Sequence, residues 1–292
     1  MQIIAKGLSY TYNKKSPFAV KALDNVNLTI NEGEFFGIIG HTGSGKSTFL
    51  QHLNALLPVM DGQLFIGNYD LSNKKSNFRE LRSKIGMVFQ YPEYQLFADT
   101  VYADVAFGLN NFMPQIKGAE LSQNIKEALE IVGLNYNEVK DKSPFDLSGG
   151  QKRRVAIAGV IATKPEILVL DEPAAGLDPR GKKEIMEFLH ILHKSWCKTI
   201  IFVSHDMDEI AENCSNVAVF NKGGIEAVLP PKELFKNSER LIELGLDIPV
   251  TATAALGLKK CGINLDTDFN TEDFISKSVK YYYNSHTNND IV

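Results

Sequence analysis

A run of glycine, lysine and hydroxyl residues could surround the phosphates of a nucleotide. Glycines let successive backbone N–H groups turn inward around phosphate oxygens, and the start of the following helix adds positive partial charge. The spacing predicts that Lys46 reaches the β- and γ-phosphates and that the Ser47 hydroxyl binds Mg²⁺. His41 is expected to contribute only its backbone. The predicted phosphate-binding segment comprises Gly40, His41, Thr42, Gly43, Ser44, Gly45, Lys46, Ser47 and Thr48.

Two adjacent carboxylates, Asp171 and Glu172, follow an apolar run from Ile167 to Leu170. A carboxylate at the end of a buried strand can hold Mg²⁺ through water opposite Ser47, which is the role we expect for Asp171. Glu172 is then placed to polarise an attacking water as a general base. The alternative is a strand end followed by solvated acids, but a buried strand rarely ends in paired acids for packing reasons alone.

A second glycine-containing helix start lies at Leu147-Ser148-Gly149-Gly150-Gln151. Ser148 is a good N-cap, and the two glycines leave the next N–H groups uncovered, so the segment predicts a second anion-binding helix start. One nucleotide does not need two such segments in one subunit. A head-to-tail dimer does, because each segment can close on the γ-phosphate held by the other chain.

With this pentapeptide, residues 1 to about 230 resemble the ATP-binding-cassette (ABC) ATPases. The resemblance implies ATP and Mg²⁺ as cofactors and a partner's nucleotide bound by Ser148, Gly149, Gly150 and Gln151. It implies further roles for Tyr12 (or less favourably Tyr10) stacking on adenine, for Gly176-Leu177-Asp178 crossing the dimer interface, and for His205 contacting the γ-phosphate. The implied catalytic residues are Lys46, Gln90, Glu172 and His205, and the implied metal-site residues are Ser47, Gln90 and Asp171.

The residues from Gln90 to Phe97 and from Val101 to Gly108 are similar to those of energy-coupling-factor transporter ATPases, which import vitamins and transition-metal ions into prokaryotic cells. The residues 148–162 and 243–249 are similar to the same group, and His41-Thr42 favours the second of its paired ATPases. The resemblance implies three partners: a second cassette ATPase, identical or not, a transmembrane coupling subunit, and a substrate-binding membrane subunit. It therefore places the chain peripherally at the cytoplasmic face of the cell membrane.

Three aromatic residues, Tyr91, Tyr94 and Phe97, fit an exposed surface for the coupling subunit. A buried-core role for Phe97 is left open by the sequence. The basic run Lys152-Arg153-Arg154 reads as a solvated helix face and not as a nucleic-acid patch.

The fold that must position these residues is predicted to be α/β, because apolar strand runs alternate with helical patterns. The resemblance specifies a P-loop NTPase cassette with a RecA-like core, an antiparallel β subdomain and an α-helical subdomain. We expect the ATP-binding domain at 1–230, its helical subdomain at about 91–160, a helical dimerisation extension at 231–280 and a polar tail at 281–292. The predicted strands are 28–30, 35–39, 167–170 and 199–203, and the predicted helices are 46–57, 121–132 within a mostly helical 75–145, 232–244 and 251–260.

Composition limits the function classes. The 292 residues carry a net charge of −4 and a pI near 5.9, which gives no support for nucleic-acid binding. Three cysteines without metal-ligand spacing fit free thiols in a reducing compartment. We find neither a signal peptide nor an apolar run of about 18 residues, so a membrane role is expected to come through a partner.

Other cassette functions remain as alternatives. A soluble ATPase of translation or DNA repair usually carries two cassettes or a long coiled-coil insertion, and neither is present. An ATPase subunit of another ABC importer or exporter is the main alternative, although a cassette exporter or efflux subunit lacks the residues found here from Tyr91 to Phe97. A non-catalytic regulatory module is expected to lose Glu172 or His205, and both are kept.

Overall fold

The computed structural model describes residues 1–73, 76–265, 267, 269 and 271–287, the side chains of 272 and 283–287 excepted. The strands within these residues are β1 (Ile3–Tyr12), β2 (Val20–Ile30), β3 (Phe35–Ile39), β4 (Asp61–Ile66), β5 (Tyr69–Asp70), β6 (Ile85–Val88), β7 (Ile167–Asp171), β8 (Thr199–Val203), β9 (Asn216–Asn221) and β10 (Gly224–Leu229). The α-helices are α1 (Lys46–Leu53), α2 (Phe78–Lys84), α3 (Val101–Phe112), α4 (Gly118–Ile131), α5 (Tyr136–Val139), α6 (Gly149–Ile161), α7 (Pro179–Ser195), α8 (Met207–Asn213), α9 (Pro231–Leu234), α10 (Ser238–Glu243), α11 (Val250–Lys260) and α12 (Thr271–Thr287).

The central element is a six-stranded sheet in the order β10-β9-β3-β8-β7-β6. From β9 to β6 every neighbouring pair is parallel, and only the edge strand β10 runs antiparallel to its neighbour. The strand order is not the chain order, because helices cross over between parallel strands. The prediction of an α/β fold is therefore confirmed.

The central strands are buried on both faces, which explains their continuous apolar runs. In β3, Phe35 and Ile39 pack into one core cluster, whereas Phe36 and Ile38 pack into another. The first cluster contains the helices α3, α4, α6 and α7, and the second joins the sheet to α1 and the antiparallel strands. A strand sends successive side chains to opposite faces, so one strand can serve two cores.

The smaller sheet is antiparallel, with the order β2-β1-β4-β5. The sequence indicated a β-rich region over 1–36 but gave bounds only for the end of β2, because both long strands alternate buried and exposed residues with interruptions in register. β6 was missed and read as part of a helical region. Its three apolar residues and one glycine follow α2 without a turn residue between the helix and the strand.

Several helix bounds differ from the sequence-based expectation. α1 ends at Leu53 because Ala55 adopts a positive φ of 49°, which stops the helix before Leu57. The segment 232–244 is divided into α9, a 3₁₀ turn at Phe235–Asn237 and α10. Residues 281–287, predicted as the start of a polar tail, continue α12, and residues 288–292 lie outside the described residues. No helix in the described part of the chain combines the length and apolar character that a membrane crossing requires.

Candidate nucleotide site

The carboxyl ends of four neighbouring parallel strands carry the residues that the sequence singled out. β3 leads into the phosphate-binding segment, β8 leads into Ser204 and His205, and β7 ends at Asp171. Gln90 follows β6 by two residues. In an open parallel sheet these ends form the edge at which ligands bind. The fold therefore brings together side chains from positions 40 to 205.

The phosphate-binding segment wraps around its own lysine. Lys46 is buried, and its Nζ donates to the carbonyl oxygens of Gly40 at 2.5 Å and His41 at 3.0 Å. Burial lowers the pKa of this ammonium below its usual value, against the opposing pull of Asp171 and Glu172. A buried cation held only by carbonyl dipoles favours an anionic ligand close to it.

Two features show that the segment is built as a cradle. Gly40 has a φ of 151°, and a Cβ placed there would lie 2.4 Å from the carbonyl oxygen of Phe220. The buried hydroxyl of Ser44 has no hydrogen-bond partner among the described residues. The His41 ring, which was expected to be idle, contacts the carbonyl oxygen of Thr42 at 2.8 Å. This contact lies within the segment, so the expectation that His41 offers only its backbone to a phosphate stays a prediction.

Ser47 and Asp171 meet as the sequence predicted for a metal site. The Ser47 Oγ donates to Asp171 Oδ2 at 3.0 Å. Burial raises the pKa of Asp171, and the Ser47 hydrogen bond partly offsets this by lowering it. The pair supplies one hydroxyl and one carboxylate, which are the oxygen ligands that Mg²⁺ takes from proteins when phosphates complete its shell.

Glu172 lies at the centre of the site and contacts two other predicted catalytic residues. Its Oε1 lies 2.8 Å from His205 Nε2, and its Oε2 accepts from Gln90 Nε2 at 2.9 Å. Its backbone adopts a left-handed φ of 52° directly after β7. Its N–H donates to the carbonyl oxygen of Val203 at 3.0 Å. Glu172, Gln90 and His205 therefore form one hydrogen-bonded unit.

These residues line a cleft of about 530 Å³, a volume typical of small-molecule sites. Tyr12, Val20 and Lys21 also line this cleft. Tyr12 donates or accepts a hydrogen bond with Thr48 at 3.3 Å. Tyr10 is buried against Tyr12, with ring centroids 4.9 Å apart and the rings nearly perpendicular, and it is not among the residues that line this cleft.

The segment 147–151 begins α6 as predicted, but it lies elsewhere. Ser148 and Gln151 form a capping box in which Ser148 Oγ accepts from the Gln151 N–H, and Gln151 Oε1 accepts from the Ser148 N–H. Both glycines are exposed, and a Cβ at either would meet nothing within 4 Å. Among the described residues, none that lines the cavity beside this segment also lines the phosphate cleft. One chain therefore does not bring its two anion-binding segments to one ligand.

The segment Gly176-Leu177-Asp178 leads into α7, whose N-cap is Asp178. Lys182, one turn into this helix, donates to Asp206 Oδ2 at 2.7 Å. Asp206 is the residue after His205 and caps α8. The start of α7 is therefore tied to the residue beside the histidine.

The basic run at 152–154 is not a solvated face, which corrects the sequence-based interpretation. The Arg153 side chain is 6% exposed and pairs with Glu93. Arg154 pairs with Glu184 and donates to the carbonyl oxygen of Val132 at 2.7 Å. Arg153 precedes the buried residues Ile157 and Ile161 by four and eight positions, so helical spacing was the signal that could have revealed its burial.

The three aromatic residues after Gln90 lie on the surface. The exposed fractions of Tyr91, Tyr94 and Phe97 are 43%, 83% and 59%. Phe97 packs edge-on against the exposed Phe107, with ring centroids 4.9 Å apart. The buried-core alternative for Phe97 is therefore excluded. We call Tyr91, Tyr94, Phe97 and Phe107 the aromatic surface.

The phosphate-binding segment, the paired acids and the parallel sheet define a P-loop ATPase of the cassette type. The sequence profile described as ABC transporter matches residues 23–175. The chain is 49% identical to the energy-coupling factor transporter ATP-binding protein EcfA2 of Clostridioides difficile (strain 630), covering 93% of this chain and 94% of that protein. It is 45% identical to EcfA2 of Clostridium tetani (strain Massachusetts / E88), covering 99% and 100%.

Solved structures agree with these relatives. The cbiO1 structure of Clostridium perfringens, described as part of the ABC transporter complex cbiONQ, matches with a TM-score of 0.72 and 37% identity over 86% of this chain and 97% of that one. The cassette MJ0796, in a dimeric post-hydrolysis state bound to ADP and Pi, matches with a TM-score of 0.71 and 30% identity over 78% and 98%. The chain belongs to the ABC transporter family, in the group of energy-coupling factor transporter ATP-binding proteins.

Proposed function

We propose that the chain binds Mg²⁺ and ATP in the phosphate cleft, hydrolyses ATP as half of a cassette dimer, and powers an energy-coupling factor importer of vitamins or transition-metal ions. The observation that carries the catalytic part is the contact of Glu172 with both Gln90 and His205. The full-length similarity to relatives named for such transporters supports the transport part.

The residues of the cleft have separable tasks. Lys46 is held where its ammonium can exchange carbonyl oxygens for phosphate oxygens. Glu172 orients a water through one carboxylate oxygen, each of which has a lone pair left beside its contact with Gln90 or His205. His205 then holds charge on the γ-phosphate, and Tyr12, which also lines the cleft, offers a ring to the adenine.

Mg²⁺ fits the oxygen donors of Ser47 and Asp171. The described residues contain no group of three or more His, Cys, Asp or Glu side chains suited to a metal. Mg²⁺ is ordinarily bound by one or two carboxylates together with substrate phosphates and water, so a dense protein cage is not needed. Ser47, Asp171 and Gln90 are the residues that would hold it. When bound, the ion would neutralise charge on the phosphate oxygens.

A dimer would complete the site. Ser148 and Gln151 use their N–H groups in the capping box, whereas the exposed Gly149 and Gly150 begin α6 and leave their N–H groups for another acceptor. The segment lies beside a cavity separate from the phosphate cleft, so Ser148, Gly149, Gly150 and Gln151 would close on the nucleotide of a partner cassette. The relatives include a dimeric cassette bound to ADP and Pi. We infer that the partner is a second cassette ATPase, identical or not.

The membrane side of the assembly is assigned to the aromatic surface. Tyr91, Tyr94, Phe97 and Phe107 expose apolar area next to Gln90, so a coupling subunit docked there would act directly on the catalytic unit. The cargo would be carried by a separate substrate-binding membrane subunit. The chain would then lie peripherally at the cytoplasmic face of a prokaryotic cell membrane.

The domain limits fit this arrangement. We propose an ATP-binding domain at 1–230, with the helical subdomain at about 91–160, and a helical dimerisation extension that begins at 231. Exposed apolar residues on α12, Ile275, Val279 and Tyr282, follow each other at helical spacing and would supply part of the dimer contact.

A pull-down from the native membrane fraction tests the transport part. We expect recovery of a second cassette ATPase and a polytopic membrane protein, identified by mass spectrometry. A chain in which Tyr94 and Phe97 are both changed to Ser is the matched control and should recover the second ATPase without the membrane protein. Recovery of ribosomes or DNA alone would contradict the transport assignment but not the ATPase chemistry.

A further inference from the structure

A buried arginine joins the aromatic surface to the catalytic segment. Arg153 lies on α6, and its guanidinium holds both carboxylate oxygens of Glu93, with Nε–Oε2 at 3.0 Å and Nη2–Oε1 at 2.9 Å. Glu93 belongs to the 3₁₀ turn Pro92–Gln95, between two residues of the aromatic surface, Tyr91 and Tyr94. The guanidinium also lies 5.9 Å from the centre of the Tyr91 ring.

The same guanidinium reaches the residues that follow Glu172. Its Nη1 donates to the carbonyl oxygen of Ala175 at 2.5 Å and approaches that of Pro173 at 3.4 Å. The planar fork of arginine can hold a carboxylate on one edge and backbone carbonyls on another, which a lysine ammonium cannot do in one geometry. Arg153 therefore joins its own helix α6 to two other segments, the turn after Gln90 and the segment after Glu172.

Stability alone is a weak reason for such an arrangement. A buried ion pair often contributes little net stability, because removing both charges from water offsets their attraction. The ion pair has a larger effect on position than on stability, since Arg153 and its partners fix one another's positions. A movement of Glu93 must displace Arg153 or break a bidentate contact, and a displaced Arg153 must in turn shift the carbonyl oxygens of Pro173 and Ala175 or break its hydrogen bonds to them.

We propose that Arg153 is a positioning residue that couples the aromatic surface to the nucleotide state of the Glu172 segment. The inference rests on the proposed function, because it takes the aromatic surface as the place where transport work is delivered. It adds a second connection, through Glu93 and Arg153, beside the direct contact of Gln90 with Glu172. Without this connection ATP would still bind, but its binding would no longer change the conformation of the aromatic surface.

A fluorescent label on the aromatic surface tests the coupling in the full chain. Tyr94→Cys places a thiol at an 83% exposed position, and Cys261→Ser removes the exposed native thiol. We expect a nonhydrolysable ATP analogue with Mg²⁺ to change the label's emission in this reference chain. Arg153→Met should lose most of that change while the affinity for the analogue stays within about threefold. Lys152→Met, which removes the neighbouring cation of α6, is the control and should keep the full change.

The outcomes separate this inference from the proposed function. An unchanged response in Arg153→Met, or no response in the reference chain that binds the analogue, would overturn the coupling. Failure of the reference chain to bind the analogue would refute the ATPase function, and the inference with it. If Arg153→Met does not fold, the paired change of Arg153→Met with Glu93→Gln removes the orphaned charge and gives the same test. Arg153→Lys should respond partially, because it keeps the charge and loses the fork.

Discussion

Replacing Glu172 by glutamine should stop hydrolysis without unfolding the chain. The change removes a carboxylate that can take a proton and keeps nearly the same shape. Loss of a general base typically costs about 10²- to 10⁴-fold in rate, or about 3 to 5 kcal/mol of barrier. The structure limits the effect on stability. The amide oxygen of E172Q can still accept from Gln90, and the backbone bond to Val203 is untouched. His205 is about half exposed, so its lost pairing should cost less than about 1 kcal/mol.

Phosphate release, nucleotide retention and thermal unfolding should be measured on the same preparations. We expect E172Q to release phosphate at least about 100-fold more slowly, to retain ATP in a dimer on size-exclusion chromatography, and to melt close to the unsubstituted chain. Glu166→Gln is the matched control: this acid lies just before β7, at the opposite end of the strand, and its loss should leave the rate unchanged. Hydrolysis by E172Q at the unsubstituted rate would show that Glu172 is not the base.

Three further changes follow from the same geometry. Gly40→Ala should lower stability by about 1 to 3 kcal/mol in thermal unfolding, because its Cβ meets the carbonyl oxygen of Phe220, whereas Gly149→Ala, in open space, should melt normally. Burial lowers the pKa of Lys46 in the folded chain, so between the folded and unfolded pKa values only the unfolded chain holds the proton. In that pH window the stability of the ATP-free protein should rise with pH, while the ATP affinity measured by calorimetry should fall. Stability and ATP affinity that changed in the same direction would refute the charge assignment. A thiol reagent should modify Cys261 rapidly and the two buried cysteines only after unfolding, since burial raises both thiol pKa values; three fast thiols would contradict that burial.

The parts of the fold that the sequence predicted best are those that are buried on both faces. The bounds of β3 and β8 agree with the expected 35–39 and 199–203, and β7 extends only one residue beyond its prediction. Such strands are short apolar runs flanked by polar residues or glycine, so the local sequence marks both ends of the strand. Their functional residues follow directly, and the ordered motifs place them at one edge of the sheet.

The parts that failed depend on contacts made far along the chain. β6 is a short run of three apolar residues and one glycine that local sequence cannot distinguish from part of a helix, and it becomes a strand because it pairs with β7. Arg153 looks solvated in a basic run, and its burial depends on Glu93, sixty residues away, and on carbonyl oxygens near Glu172. Periodicity could have placed Arg153 on the buried face, but not identified its partners.

The backbone at Glu172 indicates why this position is an acid. A non-glycine residue in the left-handed region costs about 1 to 3 kcal/mol and persists only where surrounding contacts hold it. Those contacts come from both neighbours of β7: β8 supplies the Val203 carbonyl and leads to His205, and Gln90 follows β6. Glycine would relax the backbone at this turn but would leave Gln90 and His205 without their common partner. The backbone strain at Glu172 is therefore tolerated because the position needs a carboxylate. The sheet order β8-β7-β6 lets two separate segments, those of His205 and Gln90, contact that carboxylate.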